Sequence, residues 1–537
     1  MPAIASEIDP ASDTFATNAA SMKSHLEAFR AIEAKVDQTA EGQRGRYAKR
    51  GMTLPRERLQ LLLDPGAPFL ELSSVAGYMR YDDKDGTGAG AGAIAGIGYV
   101  SGVRAVVIVD NFAVKGGTIT PDGLNKKLRL QEIARENKLP LISLAQSGGA
   151  NLTYASEVFI PGGRGFANQA RLSAMGIPQI TVVHGSATAG GAYQPGLSDY
   201  TILVRRQATM YLAGPPLLKA ATGEIATDEE LGGAEMHTGV SGAGDYLAEN
   251  DADGIRIARE VMAALRWNTN PPNPNSKSFD EPLYPTDELL GIPPADPKRP
   301  YDCREIIARI ADGSEFLEFK GEFDQQTICG HMAIEGHACA VIGNNGPITP
   351  EGAVKAGQFI QLCDQSKTPI LFLHNTTGFM VGTDAERGGI IRHGSKMIQA
   401  VANARVPKIS INVGGSFGAG NYAMCGRGFD PRFIFSWPNS RTAVMGGAQA
   451  GMVLRIVAEA KMRTAGTIDD GKLAALEKQT AAELDRQTTA LASSARLEDD
   501  GIIDPRDTRQ VLALVLDICR EADIRTLRPN TFGIARL

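Results

Sequence analysis

The hydrophobic positions change their period several times along the chain, and each change marks an element. Between residues 21 and 64, Leu26, Phe29, Ile32 and Val36, then Leu59, Leu61, Leu62 and Leu63, recur at helical spacing among many charges, which predicts helices ahead of a first core. From 91 to 109 the chain turns glycine-rich and then β-branched, and Ala105-Val106-Val107-Ile108-Val109 reads as a buried strand. A helix over 126–137, a strand at 141–144, a helix over 166–175 and a strand at 180–183 follow, and this alternation predicts a layered α/β unit. Prolines then crowd residues 268–301 (Pro271, Pro272, Pro274, Pro282, Pro285 and four more), which removes backbone donors and breaks helices, as a linker does. Beyond it the succession returns: strand 338–342, helix 353–366, strand 370–373, helix 389–403, strand 408–413. Residues 455–496 are charged, alanine-rich and helical in pattern, with no counterpart in the first half, and read as a solvated helical hairpin or arm.

The second succession is a copy of the first. Ile119-Thr120-Pro121-Asp122-Gly123 returns as Ile348-Thr349-Pro350-Glu351-Gly352, and Ser147-Gly148-Gly149 aligns with Thr376-Thr377-Gly378. Ile177-Pro178-Gln179-Ile180 aligns with Val406-Pro407-Lys408-Ile409, and Ala189-Gly190-Gly191-Ala192-Tyr193 with Gly418-Ala419-Gly420-Asn421-Tyr422. The offset is 229 positions each time. Chance matches drift in register, so a constant offset means two copies of one folding unit, and a site built in two related halves.

Composition narrows the chemistry. With 537 residues, 43% hydrophobic and 22% charged, the chain can bury large cores, and a net charge of −6 gives no basic face for nucleic acid. The six cysteines all lie in the second half without a C-x-x-C pair, so neither a zinc ribbon nor a disulfide framework is indicated. Residues 1–20 carry acidic residues and no apolar run, and no stretch of about 18 apolar residues occurs, so a cytoplasmic protein without membrane contact is expected.

Each copy sets small residues directly after a buried strand: Ser147-Gly148-Gly149-Ala150 and Ala189-Gly190-Gly191-Ala192 in the first, Thr377-Gly378-Phe379 and Gly418-Ala419-Gly420-Asn421 in the second. Without a Cβ, backbone N–H groups can close on a ligand, and two aimed at one oxygen make an oxyanion hole. Losing one such donor costs about 3 kcal/mol of transition-state stabilisation. Lys115-Gly116-Gly117-Thr118, with Lys126, Lys127 and Arg129 in the next helix, offers cations to the phosphates of a nucleotide-like ligand. The seven histidines have no H-E-x-x-H spacing, so metal catalysis has no support. Asp228, Glu229 and Glu230 after Thr227 read as a solvated helix start. Gly414-Gly415-Ser416-Phe417-Gly418 matches the G-x-S-x-G nucleophile elbow, but a hydrolase of that class needs a histidine after its serine, and the last one here is His393. Many backbone donors and no convincing side-chain base point to an enzyme whose proton acceptor comes from outside the chain.

These runs, with Leu212-Ala213-Gly214-Pro215-Pro216-Leu217, Trp437-Pro438-Asn439, Val444-Met445-Gly446-Gly447 and Asp499-Asp500-Gly501-Ile502-Ile503-Asp504-Pro505, resemble over nearly the whole chain the carboxyltransferase β subunits of biotin-dependent acyl-CoA carboxylases, which are ligases. The resemblance implies two tandem crotonase-like (ββα spiral) domains: residues 20–270 on the acyl-CoA side, a proline-rich linker 271–300, and residues 301–537 on the carboxybiotin side with the excursion 455–496. It implies that Gly190 and Gly191 bind the thioester oxygen as it becomes an enolate, and that Ala419 and Gly420 bind the biotin ureido oxygen. Around the first pair the substrate contacts are Lys115, Gly116, Gly117, Ser147, Gly148, Gly149, Ala150, Gly165, Ala192, Tyr193 and Tyr422; on the biotin side they are Thr377, Gly378, Phe379, Phe417 and Gly418.

Within the family, Tyr422 stands where propionyl-CoA-type enzymes carry an aspartate, and Gly-Ala-Gly-Asn-Tyr resembles methylcrotonyl- and geranyl-CoA carboxylases. That implies carboxylation of a 3-methyl-branched 2-enoyl-CoA at its γ carbon. Gly162-Gly163-Arg164-Gly165 before Phe166-Ala167-Asn168 is less bulky than the methylcrotonyl pattern, which implies a longer acyl tail and favours geranyl-CoA over the methylcrotonyl alternative. Ala187, where methylcrotonyl enzymes often have cysteine, and Glu498, in place of a common tryptophan, depart from the pattern. A propionyl-CoA-type transferase, a biotin-dependent decarboxylase subunit and a serine hydrolase stand as more distant alternatives. No Met-Lys-Met biotin acceptor occurs, so biotin is expected on a separate α subunit with biotin carboxylase activity. A β hexamer in an α6β6 assembly, with no metal in this subunit, completes the expectation.

Overall fold

The computed structural model describes residues 1–267 and 278–535, so residues 271–277 of the proline-rich stretch lie outside the described residues. The chain folds into two compact units. The first comprises Arg30–Pro272, Ala495–Leu497 and Arg520–Leu537; the second comprises Met1–Phe29, Asn273–Ser494 and Glu498–Cys519. The helices expected over residues 21–64 are Asp13–Glu41, Arg44–Ala48 and Pro55–Leu62. Within residues 278–300, Thr286–Leu290 forms a 3-10 turn and Leu289, Leu290 and Ile292 are buried in the second unit, while residues 295–300 are exposed.

Each unit is built on one sheet that opens with an antiparallel hairpin and continues with parallel strands, the crotonase-like pattern. In the first, Ala93–Val100 pairs antiparallel with Val103–Asp110, and Leu141–Ser147, Gln179–Thr188 and Tyr200–Val204 then add in parallel. In the second, Thr327–Ile334 and His337–Asn344 form the hairpin, and Ile370–Thr376, Lys408–Phe417 and Phe433–Ser436 add in parallel. Val103–Asp110 is buried along its whole length, which is why it reads as a continuous apolar run and not an alternating one. The apolar faces close on Ile142, Leu144, Ile180, Val182 and Met262 in one unit, and on Phe359, Ile360, Phe372 and Met397 in the other.

The repeat reaches the details of register. The parallel pairing slips between Ala145 and Ser147 in the first sheet and between His374 and Thr376 in the second, at the same 229-position offset. Thr120 and Thr349 cap the helices Pro121–Glu136 and Pro350–Ser366, accepting from Gly123 N at 3.1 Å and Gly352 N at 2.9 Å, with proline at the first helical position each time. The helix expected to begin at 166 begins eleven residues earlier, as Ala155–Ala174, through Pro161, Gly162 and Gly163. Those residues disfavour helix locally, but the helix is fixed from its neighbour, where Gln131 Nε2 donates to Gly165 O at 3.1 Å. Residues 455–496 fold as two helices, Gly447–Thr464 and Asp470–Gln487, followed by Ala490–Ala495.

Candidate active site

In each unit two parallel strands end side by side, and small residues continue from both. The loop after the first strand is tied down identically in the two units. Ile119 N donates to Gly149 O at 2.8 Å and Asn151 N to Ile119 O at 3.0 Å; Ile348 N donates to Gly378 O at 2.9 Å and Met380 N to Ile348 O at 2.8 Å. Gly149 N donates to Ser147 Oγ at 3.2 Å, and Gly378 N to Thr376 Oγ1 at 3.1 Å.

After the second strand the chain turns straight into a helix, Gly190–Leu197 in one unit and Gly418–Ala423 in the other. The turn requires the left-handed region: Ala189 has φ 53° and Gly418 φ 54°. Gly190 and Gly191, and likewise Ala419 and Gly420, lie in the first turn, where N–H groups have no acceptor one turn back. In both pairs the first residue is exposed and the second buried, so the same pair of donors is presented at the same place in both units. A Cβ on Gly191 would meet Ser147 Oγ at 3.4 Å; one on Gly420 would stand only 2.9 Å from Gly378 Cα. The second unit therefore packs its loop directly on the donor pair, and glycine is a steric requirement there.

The side chains around the pairs differ. In the first unit Phe166 lies 3.7 Å from a Cβ built on Gly190, and its ring meets that of Tyr193 at 5.8 Å. Gly117 O accepts from Gly148 N at 3.1 Å, which brings the turn Lys115–Gly117 against the Ser147 loop, with Gly116 exposed and Lys115 paired to Asp82. Ala192 is buried in the helix start, and a Cβ built on Gly165 would lie 3.9 Å from Leu128. In the second unit Tyr422 stacks on Phe429 at 5.8 Å, so the two repeated tyrosines have different ring partners. Thr377 and Phe417 line a cavity of about 440 Å³ with His25, Asn375, Arg441 and Gly447. Phe379 turns its ring onto Gly394 and the second core, which leaves its main chain as what it offers the loop.

One sequence expectation changes, that of the basic cluster, and two others hold. Lys126 is fully buried, and its ammonium donates to the carbonyls of Ser73, Gly90 and Ala93 at 3.1, 3.1 and 2.7 Å; burial lowers its pKa to about 8. Lys127 pairs with Asp110 and Arg129 with Glu132, each at 2.8 Å. The basic helix face is thus turned into the protein, because its cations satisfy carbonyls and carboxylates of the fold, and it offers no phosphate site. Ser416 of the G-x-S-x-G run is 0% exposed, so the hydrolase reading fails on access as well as on chain order. The acidic run 228–230 behaves as read: Thr227 and Glu230 form a capping box at the helix start.

Two buried polar clusters escaped the sequence. In the first unit Asp251 accepts from Arg58 Nε at 3.1 Å and pairs with His184 Nδ1 at 2.8 Å, while Arg58 Nη1 donates to Gln146 at 2.8 Å. Burial opposes the charge of Asp251, but the bond to His184 and the Arg58 cation prevail and hold its carboxyl well below the usual range. Burial, helped by Arg58, lowers His184 to about 4. In the second unit His374 Nδ1 lies 2.8 Å from Ser416 Oγ, Asn421 Nδ2 donates to the same oxygen at 2.8 Å, and burial lowers His374 to about 3. Nothing local marks these residues; except for Ser416 and Asn421, they come from helices and strands far apart in the chain. Among the described residues no group of three or more His, Cys, Asp or Glu is arranged to hold a metal ion.

A doubled crotonase-like fold, with a pair of backbone donors at the start of a helix in each unit, defines the class of protein to which the chain belongs. Residues 46–531 match the carboxyl transferase domain family, and the chain belongs to it as the carboxyltransferase β subunit of a biotin-dependent acyl-CoA carboxylase, a ligase. It is 46% identical over 536 residues, 99% of both chains, to a probable biotin-dependent acyl-coenzyme A carboxylase beta2 subunit of Mycobacterium tuberculosis. It is 48% identical over 488 residues, 90% of this chain and 92% of the other, to the biotin-dependent 3-methylcrotonyl-coenzyme A carboxylase beta1 subunit of the same organism. The crystal structure of the β subunit of geranyl-CoA carboxylase from Pseudomonas aeruginosa superposes with a TM-score of 0.94 at 65% identity, covering 100% of both chains.

Proposed function

We propose that this β subunit transfers CO₂ from carboxybiotin to the γ carbon of geranyl-CoA. The observation that carries the choice of substrate is one face of the helix Ala155–Ala174. Phe159, Gly162, Gly163 and Phe166 share that face at helical spacing, and it ends where Phe166 meets Gly190 and Tyr193. A Cβ on Gly162 or Gly163 would meet nothing within 4 Å, so packing does not demand these glycines; they leave open space. Phe159 and Ile160 are exposed beside it. At 1.5 Å per residue the face runs about 10 Å from Gly190, room for the eight-carbon backbone of a geranyl group. The 65% identity to the Pseudomonas enzyme, against 48% to the mycobacterial methylcrotonyl one, supports the same reading.

In this reading the N–H groups of Gly190 and Gly191 hold the thioester oxygen as it gains charge, and those of Ala419 and Gly420 hold the ureido oxygen of biotin. Neutral oxygens that become more negative are stabilised by preorganised N–H donors, and a concave surface lined by Thr377 and Phe417 beside the second pair suits an uncharged bicyclic ring. When bound, biotin supplies the carboxyl group and the nitrogen that takes the substrate proton, which fits a chain whose two core histidines are buried and neutral. Ser147, Gly148, Gly149, Ala150 and the turn Lys115–Gly117 border the acyl side; Gly378, Phe379 and Gly418 shape the biotin side. The partner is a biotin-carrying α subunit, in a cytoplasmic α6β6 assembly. The exposed apolar residues Met452, Val453, Ile456 and Val457 on the helix Gly447–Thr464 support self-association.

Reconstitution with the α subunit tests the substrate. Geranyl-CoA should show the higher kcat/KM, and Gly163→Leu should lower it at least tenfold while sparing 3-methylcrotonyl-CoA. A parent enzyme that prefers 3-methylcrotonyl-CoA would overturn the choice.

A further inference from the structure

The two copies keep one backbone device but differ together at three positions beneath it. At the 229-position offset, Ala145, Ala187 and Ala192 of the first unit stand opposite His374, Ser416 and Asn421 of the second. The three alanines are buried and apolar. Their counterparts form a connected chain: Asn421 Nδ2 donates to Ser416 Oγ at 2.8 Å, and Ser416 Oγ lies 2.8 Å from His374 Nδ1. His374 and Ser416 are 0% exposed. His374 sits where the parallel register slips, and Ser416 lies on the neighbouring strand opposite Thr376. Asn421 directly follows Gly420, and its backbone carbonyl accepts from Gly426 N at 2.8 Å.

The segment from Ser416 to Asn421 is thus a closed loop: it leaves the strand, makes the left-handed turn at Gly418, passes through Ala419 and Gly420, and is fastened to its own start by the Asn421–Ser416 bond. The donor pair lies inside that loop. In the first unit the loop from Ala187 to Ala192 has no such fastening; there Ser147 and Phe166 flank the glycine pair from outside. A histidine kept neutral by burial can accept the Ser416 hydroxyl proton at Nδ1, which leaves the serine oxygen free to accept from Asn421. All three groups then bond in one direction without a charge.

We propose that His374, Ser416 and Asn421 are positioning residues that hold the Ala419 and Gly420 N–H groups in their aim, and that they serve the biotin half of the reaction alone. This rests on the assignment of that pair to the ureido oxygen. Hydrogen-bond stabilisation of a developing charge falls steeply with misplacement, and about 1 Å can cost a hundredfold in rate. The first unit shows that the fold accepts alanine at all three positions.

The test converts the second copy to the first with the triple variant H374A/S416A/N421A, beside Ser416→Ala and Ser416→Thr. Transfer from a carboxylated enoyl-CoA to free biotin is measured with the full-length chain, together with KM for both substrates. Ser416→Ala and the triple variant should lose about 10- to 100-fold in kcat/KM for free biotin, with KM for the enoyl-CoA within twofold of the parent. Ser416→Thr, which keeps the hydroxyl, should recover most of the rate. Parent-like transfer to biotin in the triple variant would overturn the positioning role and leave the proposed function standing. An equal loss on the enoyl-CoA side would show a general structural role. No transfer by the parent would overturn the proposed function, and this inference with it.

Discussion

At Ala189 and Gly418 the same turn is made by different residues. Both have φ near 54°, a region costly for a side chain, yet the first copy tolerates a methyl group and the second has none. A Cβ on Gly418 would also lie 3.2 Å from Val444 O, which explains the choice. Two positions further in the contrast sharpens. Gly420→Ala would drive a Cβ to within 2.9 Å of Gly378 Cα and 3.0 Å of Thr376 Cγ2, whereas Gly191→Ala meets only Ser147 at ordinary contact distance. Gly420→Ala should therefore destabilise by about 1–3 kcal/mol and Gly191→Ala by less than about 1 kcal/mol. Thermal unfolding of the two variants decides this, and equal melting temperatures would refute it. The donor pairs were legible in the sequence through their repetition. The steric reason for them was not, because it lies in a strand-end loop some forty residues away.

The elements themselves were mostly legible, since apolar runs and helical spacing survive without knowledge of the fold. What escaped was decided by a neighbour. The helix Ala155–Ala174 carries Pro161 and three glycines, so its first half does not read as helix, although it lines the proposed acyl face. The pair Gly447–Thr464 and Asp470–Gln487 reads as helical, but its close approach does not. A Cβ on Gly451 would stand 2.6 Å from Glu477 O, and one on Gly447 2.5 Å from Ala481 O, so backbone lies on backbone at both points. Gly451→Val should wedge the hairpin open and cost about 1–3 kcal/mol, whereas Ala460→Val, in the same helix and outside that approach, should not. Urea unfolding of the two variants would show it, and matching midpoints would count against the packing described.

Acid should weaken the whole molecule through its two buried histidines. His184 is lowered to about 4 and His374 to about 3, against 6.5 for an ordinary imidazole, so each takes up a proton on unfolding between those limits. The unfolded state then binds more protons, and stability is complete above pH 6.5 and falls as the pH drops below it. The slope is up to about 1.4 kcal/mol per pH unit for each histidine. The depressed carboxyl of Asp251 adds a loss in the same direction at still lower pH. Melting temperatures should decline from pH 7 to pH 5, and His374→Gln should flatten that decline. A melting temperature unchanged over this range would contradict the neutral burial of both rings.

The sequence by itself determined the doubled architecture and the place of the donor pairs, because a duplicated backbone device leaves the same small residues at the same offset. It also fixed the strands and most helices, whose apolar pattern is a local property of the chain. Tertiary structure alone decided which polar residues meet. Lys126 is turned to three carbonyls and away from any ligand; Arg58, Asp251 and His184 share one buried cluster; and Ser416, so nearly a nucleophile in its motif, is sealed between His374 and Asn421. Apart from Ser416 and Asn421, which are neighbours in one loop, those partners lie on elements far apart in the chain, and no spacing within one segment can encode their meeting.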